Sequence, residues 1–259
     1  CSGAGVTESL EAGDLVGTRR LRSWASEGED GVVHPMREAP EGVLVYTAVE
    51  ELDFAGPWEM LAMWNLVSGK PPPVLVAQTA QPVRCAKGLT VVPEFGFADC
   101  PELDVLVVPG GQGTRRQVDN PALIDFIAQR AAAAKYVLSI CTGAFLLHKA
   151  GLLAGRSATT HWASLDRLRE LGDVKVLEQR YVIDGPIWTS AGVSAGIDMA
   201  LEFIARVDSP SVAGKVQLVS EYYPDESRYG GGSAHRQAPD YVQVVRRARR
   251  ERTTNGTRW

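Results

Sequence analysis

Four cysteines and few aromatic residues (7%) are spread through the 259 residues, and no two cysteines form a CxxC pair. Cys1, Cys85, Cys100 and Cys141 stand too far apart to suggest a tetrahedral Cys/His zinc site. Excess positive charge is also lacking. The 27 Lys and Arg fall short of the 31 Asp and Glu, for a formal net charge of −4. That balance argues against nucleic acid or an anionic membrane surface as the main partner. No stretch approaches the roughly 18 to 20 continuous apolar residues of a membrane-crossing helix. There is no internal repeat, and no clear domain boundary falls between residues 42 and 225.

What is present reads as a globular protein: 45% of the residues are hydrophobic and 22% charged. The length suffices for one large α/β domain or two small ones. Val43 to Thr47 reads as the first strand. Gly56-Pro57 is expected to open a helix running to about Val67, since proline suits the first helical position. A strand starts at Val74, and short runs at 82–86 and 89–92 around Lys87-Gly88 suggest a hairpin. "DVLVVPGG" (104–111) reads as a buried strand ending in glycines, followed by an Ala-rich helix over 121–134. A strand over 136–140 runs directly into a helix over 143–153. "SATT" (157–160) reads as a short strand, 162–171 as a helix, and 174–178 with 181–184 as a second hairpin. A strand over 187–192 and helices over 194–207 and 211–222 complete the pattern.

Fully apolar strands alternating with helices imply a mostly parallel sheet covered on both faces. The expected fold is one doubly wound α/β domain over 42–225. Residues 1–41 read as a flexible tether, rich in Gly, Ser and charge. Residues 226–259 read as an extension with five arginines between 246 and 252, taken as a solvated helix end rather than an anion-binding patch. The start "CSGAG" matches what signal peptidase leaves on a bacterial lipoprotein, with Cys1 carrying the lipid. On that reading the domain works outside the cytoplasm, held to the membrane only through Cys1. A chain cut short at its start is the other reading, and would leave a cytoplasmic domain. Cys85 and Cys100 could pair in an oxidising compartment.

No loop separates the strand 136–140 from the helix after it, so Cys141 must lie on a very sharp turn. Ser139-Ile140-Cys141-Thr142-Gly143 follows the outline of the G-x-S-x-G nucleophile elbow, with Cys for Ser and Ser for the first Gly. Small residues on both sides let strand and helix pass closely. The positive end of the helix dipole is expected to lower the thiol pKa. The alternative is a structural cysteine, since free Cys is often buried. A nucleophile also needs donors for developing negative charge. "PGGQG" offers the backbone N–H of Gly111, and the elbow offers that of Thr142. Three residues could move protons: Asp53 in the loop after the first strand, Glu59 in the first helical turn, and His161 at a helix start. Trp58, Trp162 and Tyr223 line a pocket or belong to the core. The loops 112–120 and 223–236 carry no readable specificity.

Taken together, "ELDFAGPWEM", "VVPGGQG", "SICTGAFLLHKAGLLAGRSATTHW" and "WTSAGVSAGIDMALEFI" resemble the ThiJ/PfpI superfamily, related to class I glutamine amidotransferases. The likeness runs in family order from about Val43 to Pro224, roughly 70% of the chain. It implies a flavodoxin-like fold with a cysteine nucleophile elbow, and a homodimer. Many members place a Glu near the elbow cysteine. Here "LDFAGP" presents Asp53, which looks like the isonitrile hydratase branch. That branch implies Cys141 and Asp53 as the catalytic pair, with Thr142 beside them and no metal or organic cofactor. The implied reaction adds water to a small-molecule isocyanide, giving an N-substituted formamide through a Cys141 thioimidate.

"ATTHW" and "TSAGVSAGIDMAL" are also similar to the sensor half of arabinose-regulator-type transcription factors. The 35 residues after Pro224 are too few for the DNA-binding module of such a regulator. Other cysteine enzymes of the superfamily, hydrolases or glyoxalase-like, and a redox-responsive chaperone complete the alternatives.

Overall fold

A computed structural model describes residues 39–224 and, before them, two short strands. The chain divides into two units, Cys1–Met36 and Arg37–Trp259. In the first, β1 (Ala25–Glu27) pairs antiparallel with β2 (Val33–Pro35), Ser26 opposite His34. Cys1 and the C-terminal extension with its arginines lie outside the described residues, as does the 223–236 loop from residue 225 onward.

The second unit is built on a six-stranded sheet. Its strands are β3 (Glu41–Leu44), β4 (Val74–Val76), β7 (Val105–Val108), β8 (Tyr136–Ile140), β11 (Tyr181–Asp184) and β12 (Ile187–Ser190). They lie in the order β11-β12-β8-β7-β3-β4, with all neighbours parallel except β11 and β12. Read from β4 across to β12, this is the flavodoxin-like order, with the topological switch point between β3 and β7. One row of partners crosses the whole sheet: Leu75, Val43, Val107, Leu138, Trp188 and Ile183. The four central strands are buried almost throughout because both faces are covered. β7 is wholly apolar, while Glu41, Ser139, Thr189 and Ser190 are buried polar residues on the other three.

Helices α1 (Glu51–Ser68), α6 (Ala195–Val207) and α7 (Pro210–Val219) pack together on one face. The short α2 (Thr114–Gln117), α3 (Pro121–Ala133) and α4 (Gly143–Lys149) form the other layer. On the first face the edges of Trp64, Tyr136 and Trp188 surround Phe203, with ring centroids 6.1, 5.1 and 5.4 Å away. This edge-to-face arrangement suits the ring quadrupoles and ties α1, β8 and β12 to α6.

Several elements differ from expectation. Helix α1 opens six residues before Pro57, so Asp53 lies in its first turn, not in a loop, and Glu59 in its third turn, not its first. Tertiary packing fixes Pro57 inside the helix: a Cβ on Gly196 would come within 3.0 Å of its ring, and one on Gly56 within 2.8 Å of Ile197. The hairpin expected over 174–184 is absent. Instead β10 (Lys175–Val176) pairs parallel with β9 (Ser157–Ala158), outside the main sheet. β11 turns back into β12 through Gly185 (φ 58°) and Pro186, since glycine tolerates the left-handed region a tight hairpin demands. Only Trp162–Ser164, a single 3₁₀ turn, and α5 (Leu165–Arg169) form where one longer helix was expected. The small hairpin of β5 (Val83–Arg84) and β6 (Thr90–Val91) agrees with the sequence reading.

Candidate active site

β8 enters the site from the sheet interior and ends at Cys141, whose φ of 56° makes it one of three described non-glycine residues with positive φ. A cysteine in this region is strained, and the surroundings must hold it there. Its N–H donates to Ser190 O (3.1 Å), and its carbonyl accepts from the Thr160 hydroxyl (2.7 Å). The next turn has no spare room: a Cβ on Gly143 would lie 2.2 Å from Val108 O. Strand β7 and helix α4 therefore pass in near backbone contact, which is why small residues follow the cysteine. Only 6% of Cys141 is exposed.

The loops after β3 and β7 stack on one another beside the elbow. Glu50 N–H donates to Gly110 O (3.0 Å) and Gly113 N–H to Ala48 O (2.8 Å). Gly111 adopts φ 123°, and a Cβ there would meet Glu50 N at 2.3 Å. The Gly110 N–H donates to Asp53 Oδ2 (3.0 Å), and the Gly111 N–H donates to Thr142 Oγ1 (3.0 Å). The glycine loop thus bridges the acid on α1 and the elbow. Gly111 was expected to supply a free oxyanion donor, but its N–H is already engaged by the Thr142 hydroxyl.

Asp53 is fully buried. Its Oδ1 has no hydrogen-bond partner of its own, and the carboxyl interacts with the Cys141 thiol. Burial raises the Asp53 pKa to about 7, against the Gly110 and Cys141 hydrogen bonds that favour its charged form. The Cys141 thiol is pushed well above the ordinary thiol range, first by burial and then by the negative Asp53 beside it, although hydrogen bonds from Thr142 oppose the rise. The expected lowering by the helix dipole is overturned: desolvation disfavours the thiolate more than one short helix terminus favours it. The pair is therefore a neutral thiol next to a carboxyl that exchanges its proton near neutral pH.

Glu59 does not join this pair. It lies six residues beyond Asp53 on α1, about 120° around the helix axis. His161 follows Thr160 but caps the next turn, its Nδ1 accepting from Ala163 N–H (3.3 Å). That leaves the proton on Nε2. Burial lowers the His161 pKa, with Glu50 acting in the opposite direction. Trp58 and Trp162 are half-buried, and Tyr223 is exposed. Cys85 and Cys100 are free, buried thiols. Among the described residues no group of three or more His, Cys, Asp or Glu is placed to hold a metal ion, and no helix is long and apolar enough to cross a membrane.

Two contributors escaped the sequence reading. Tyr46, in the loop after β3, donates from its hydroxyl to Pro109 O (2.8 Å) and lies 3.1 Å from Thr114 Oγ1. Thr114 Oγ1 lies 3.0 Å from Thr142 Oγ1. Nothing local marks either residue, because separations of 28 and 68 residues divide these partners.

Comparison with known proteins agrees with this fold. The model of the DJ-1/PfpI family matches residues 42–206. Isonitrile hydratase from Pseudomonas putida is 42% identical over 183 residues, 71% of this chain and 78% of that protein. The HTH-type transcriptional regulator CdhR of Pseudomonas aeruginosa is 33% identical over 172 residues; the match covers 66% of this chain and about half of the regulator (48%). A solved THiJ/PfpI family protein from Pseudomonas syringae superposes with a TM-score of 0.70 at 35% identity, covering 83% of this chain and 88% of its own.

Proposed function

From its place in the DJ-1/PfpI family, to which this chain belongs, and from the Cys141–Asp53 pair, we propose that it hydrates an isonitrile to an N-substituted formamide. The observation that carries the reading is Asp53. One of its oxygens is held by Gly110 N–H, the other has no hydrogen-bond partner of its own, and the carboxyl as a whole faces the nucleophilic thiol. A carboxyl with a pKa near 7 can both take and give a proton at neutral pH, as a general acid–base must. The 42% identity to an isonitrile hydratase supports the same reaction.

The steps follow from the pair. Asp53 carboxylate takes the thiol proton as the sulfur forms a bond to the terminal carbon of R–NC. The carbon then takes that proton from Asp53, giving R–N=CH–S on Cys141. Asp53 next accepts a proton from water as the water oxygen bonds to the same carbon, and returns it to nitrogen. When the C–S bond breaks, the hydroxyl proton passes through Asp53 to sulfur. One isonitrile and one water leave as R–NH–CHO, and the enzyme is restored. Thr142 N–H stabilises negative charge on sulfur at both ends of the cycle. Acid-quenching the enzyme during turnover of cyclohexyl isocyanide tests the covalent step. The Cys141 peptide gains the mass of one isonitrile, and Cys141→Ala protein shows no such adduct. Label found on another residue, or none during turnover, removes the covalent mechanism.

A second reading, ligand sensing without turnover, draws on the 33% identity to a transcriptional regulator. Saturable binding of an isonitrile with no product and no adduct favours it. As the family resemblance implies, the working form is taken as a homodimer, which light scattering of the purified protein checks.

A further inference from the structure

Four hydrogen bonds join five groups into a continuous chain that runs past the residue next to the nucleophile. Gly111 N–H donates to Thr142 Oγ1 (3.0 Å); Thr142 Oγ1 meets Thr114 Oγ1 (3.0 Å); Thr114 Oγ1 meets the Tyr46 hydroxyl (3.1 Å); and Tyr46 donates to Pro109 O (2.8 Å). Tyr46 and Thr114 are both buried, so no bulk water substitutes for a missing partner. Thr142 directly follows Cys141 in the elbow, and its side chain favours the charged form of the Cys141 sulfur.

Each hydroxyl carries a single hydrogen. If Tyr46 donates to Pro109 O, its bond with Thr114 requires Thr114 to donate to Tyr46. The bond between the threonines then requires Thr142 to donate to Thr114. In this arrangement Thr142 has no hydrogen left for sulfur. Reversing the chain keeps both hydroxyl–hydroxyl bonds: Tyr46 turns its hydrogen to Thr114, and Thr114 turns its own to Thr142. The Thr142 hydrogen is then free for either of two acceptors, Gly111 O (3.3 Å) while the thiol is neutral or the sulfur once it carries negative charge. Of the bonds in the resting chain only the one to Pro109 O is given up, and the change along the chain is a rotation of three O–H groups. The reversed chain also leaves Thr142 Oγ1 accepting from both Gly111 and Thr114, which polarises its O–H toward the sulfur.

We propose that Tyr46 and Thr114 are positioning residues that reverse this chain when negative charge develops on Cys141, bringing the Thr142 hydroxyl hydrogen onto the sulfur. With the neutral thiol the chain rests on Pro109 O. As sulfur loses its proton to Asp53, or leaves carbon at the end of the cycle, the three O–H groups rotate together. The inference rests on Cys141 as the nucleophile, and holds whatever substrate the enzyme uses.

The test compares Tyr46→Phe, Thr114→Val, the double variant and Thr114→Ser in two assays on folded protein of matched melting behaviour. One is the alkylation rate of Cys141 by iodoacetamide, read by peptide mass; the other is kcat and KM with cyclohexyl isocyanide. A lost hydrogen bond to a charged group corresponds to a drop of about ten- to hundredfold. Alkylation and kcat fall by that factor in Tyr46→Phe and in Thr114→Val while KM holds. Since both belong to one chain, the double variant is no slower than the slower single variant. Thr114→Ser, which keeps the hydroxyl, returns to within a few fold of wild type. Wild-type alkylation in both single variants overturns the proposal, as do losses that add fully in the double variant or a Thr114→Ser as slow as Thr114→Val. Should the isonitrile be the wrong substrate, kcat is unmeasurable in every protein while the alkylation series still decides the chain.

Discussion

Asp53→Asn changes how stability depends on pH, by an amount the burial of Asp53 sets. The folded protein keeps a proton on this carboxyl up to about pH 7, from an ordinary value of 3.8. The unfolded chain releases the same proton at about pH 4. Between those values folding takes up a proton, so the group's contribution to stability is complete below about pH 4 and is lost as pH rises to 7. At about 1.4 kcal/mol per pH unit, the gap amounts to about 4 kcal/mol. Asparagine has nearly the same shape, can still accept from Gly110 N–H, and has no proton to lose. The stability of Asp53→Asn relative to wild type therefore rises by about 4 kcal/mol between pH 4 and pH 8. In a domain of this size that is a relative gain in Tm of roughly 10 °C. Urea melts or thermal scans of both proteins across that range measure it. Parallel pH profiles refute the reasoning, because they would mean that Asp53 titrates alike in the folded and unfolded chain.

Other perturbations have expected outcomes. Gly143→Ala drives a Cβ against Val108 O and costs about 3 kcal/mol of overpacking, read as a Tm lower by roughly 6 to 12 °C; an unchanged Tm means that β7 and α4 can separate freely. Phe203→Ala empties the center of the Trp64, Tyr136 and Trp188 cluster and costs about 4 kcal/mol, measured as a shift in the urea midpoint. Since burial and Asp53 raise the Cys141 pKa, its alkylation by iodoacetamide is slow at pH 7 and keeps rising with pH beyond the ordinary thiol range. A plateau below pH 8 in peptide-resolved labelling contradicts that direction.

The parts of the fold legible in the sequence are those with strong local patterns. β7 is apolar throughout and β8 nearly so, with Ser139 its one small polar residue, because helices cover both faces. β8 running straight into α4 marks the elbow at Cys141 in the sequence itself. Pro57 misled because its usual place is the first helical position, whereas contacts with Gly196 across α1 and α6 hold it inside the helix. That error moved Asp53 from a helical turn to a loop while leaving it identified as the acid. The β11–β12 hairpin has a local signal in Asp184-Gly185-Pro186, but the segment 174–178 lies nearer to 181–184 in sequence, and only the fold shows that it pairs with β9 instead. The use of Gly111 N–H by Thr142, and the hydroxyls of Tyr46 and Thr114, had none. These contacts exist only because the switch point brings the ends of β3, β7 and β8 together. The thiol pKa was misjudged for a related reason: the sequence shows a helix terminus, but burial and the neighbouring carboxylate appear only once the chain is folded.

The most direct test of the central claim is formamide production from cyclohexyl isocyanide by wild type, Cys141→Ala and Asp53→Asn, followed by the formyl proton signal in NMR. Turnover by wild type, lost in both folded variants, is the predicted result. Contradiction would come from a folded wild type that makes no formamide, or from either variant turning over at the wild-type rate.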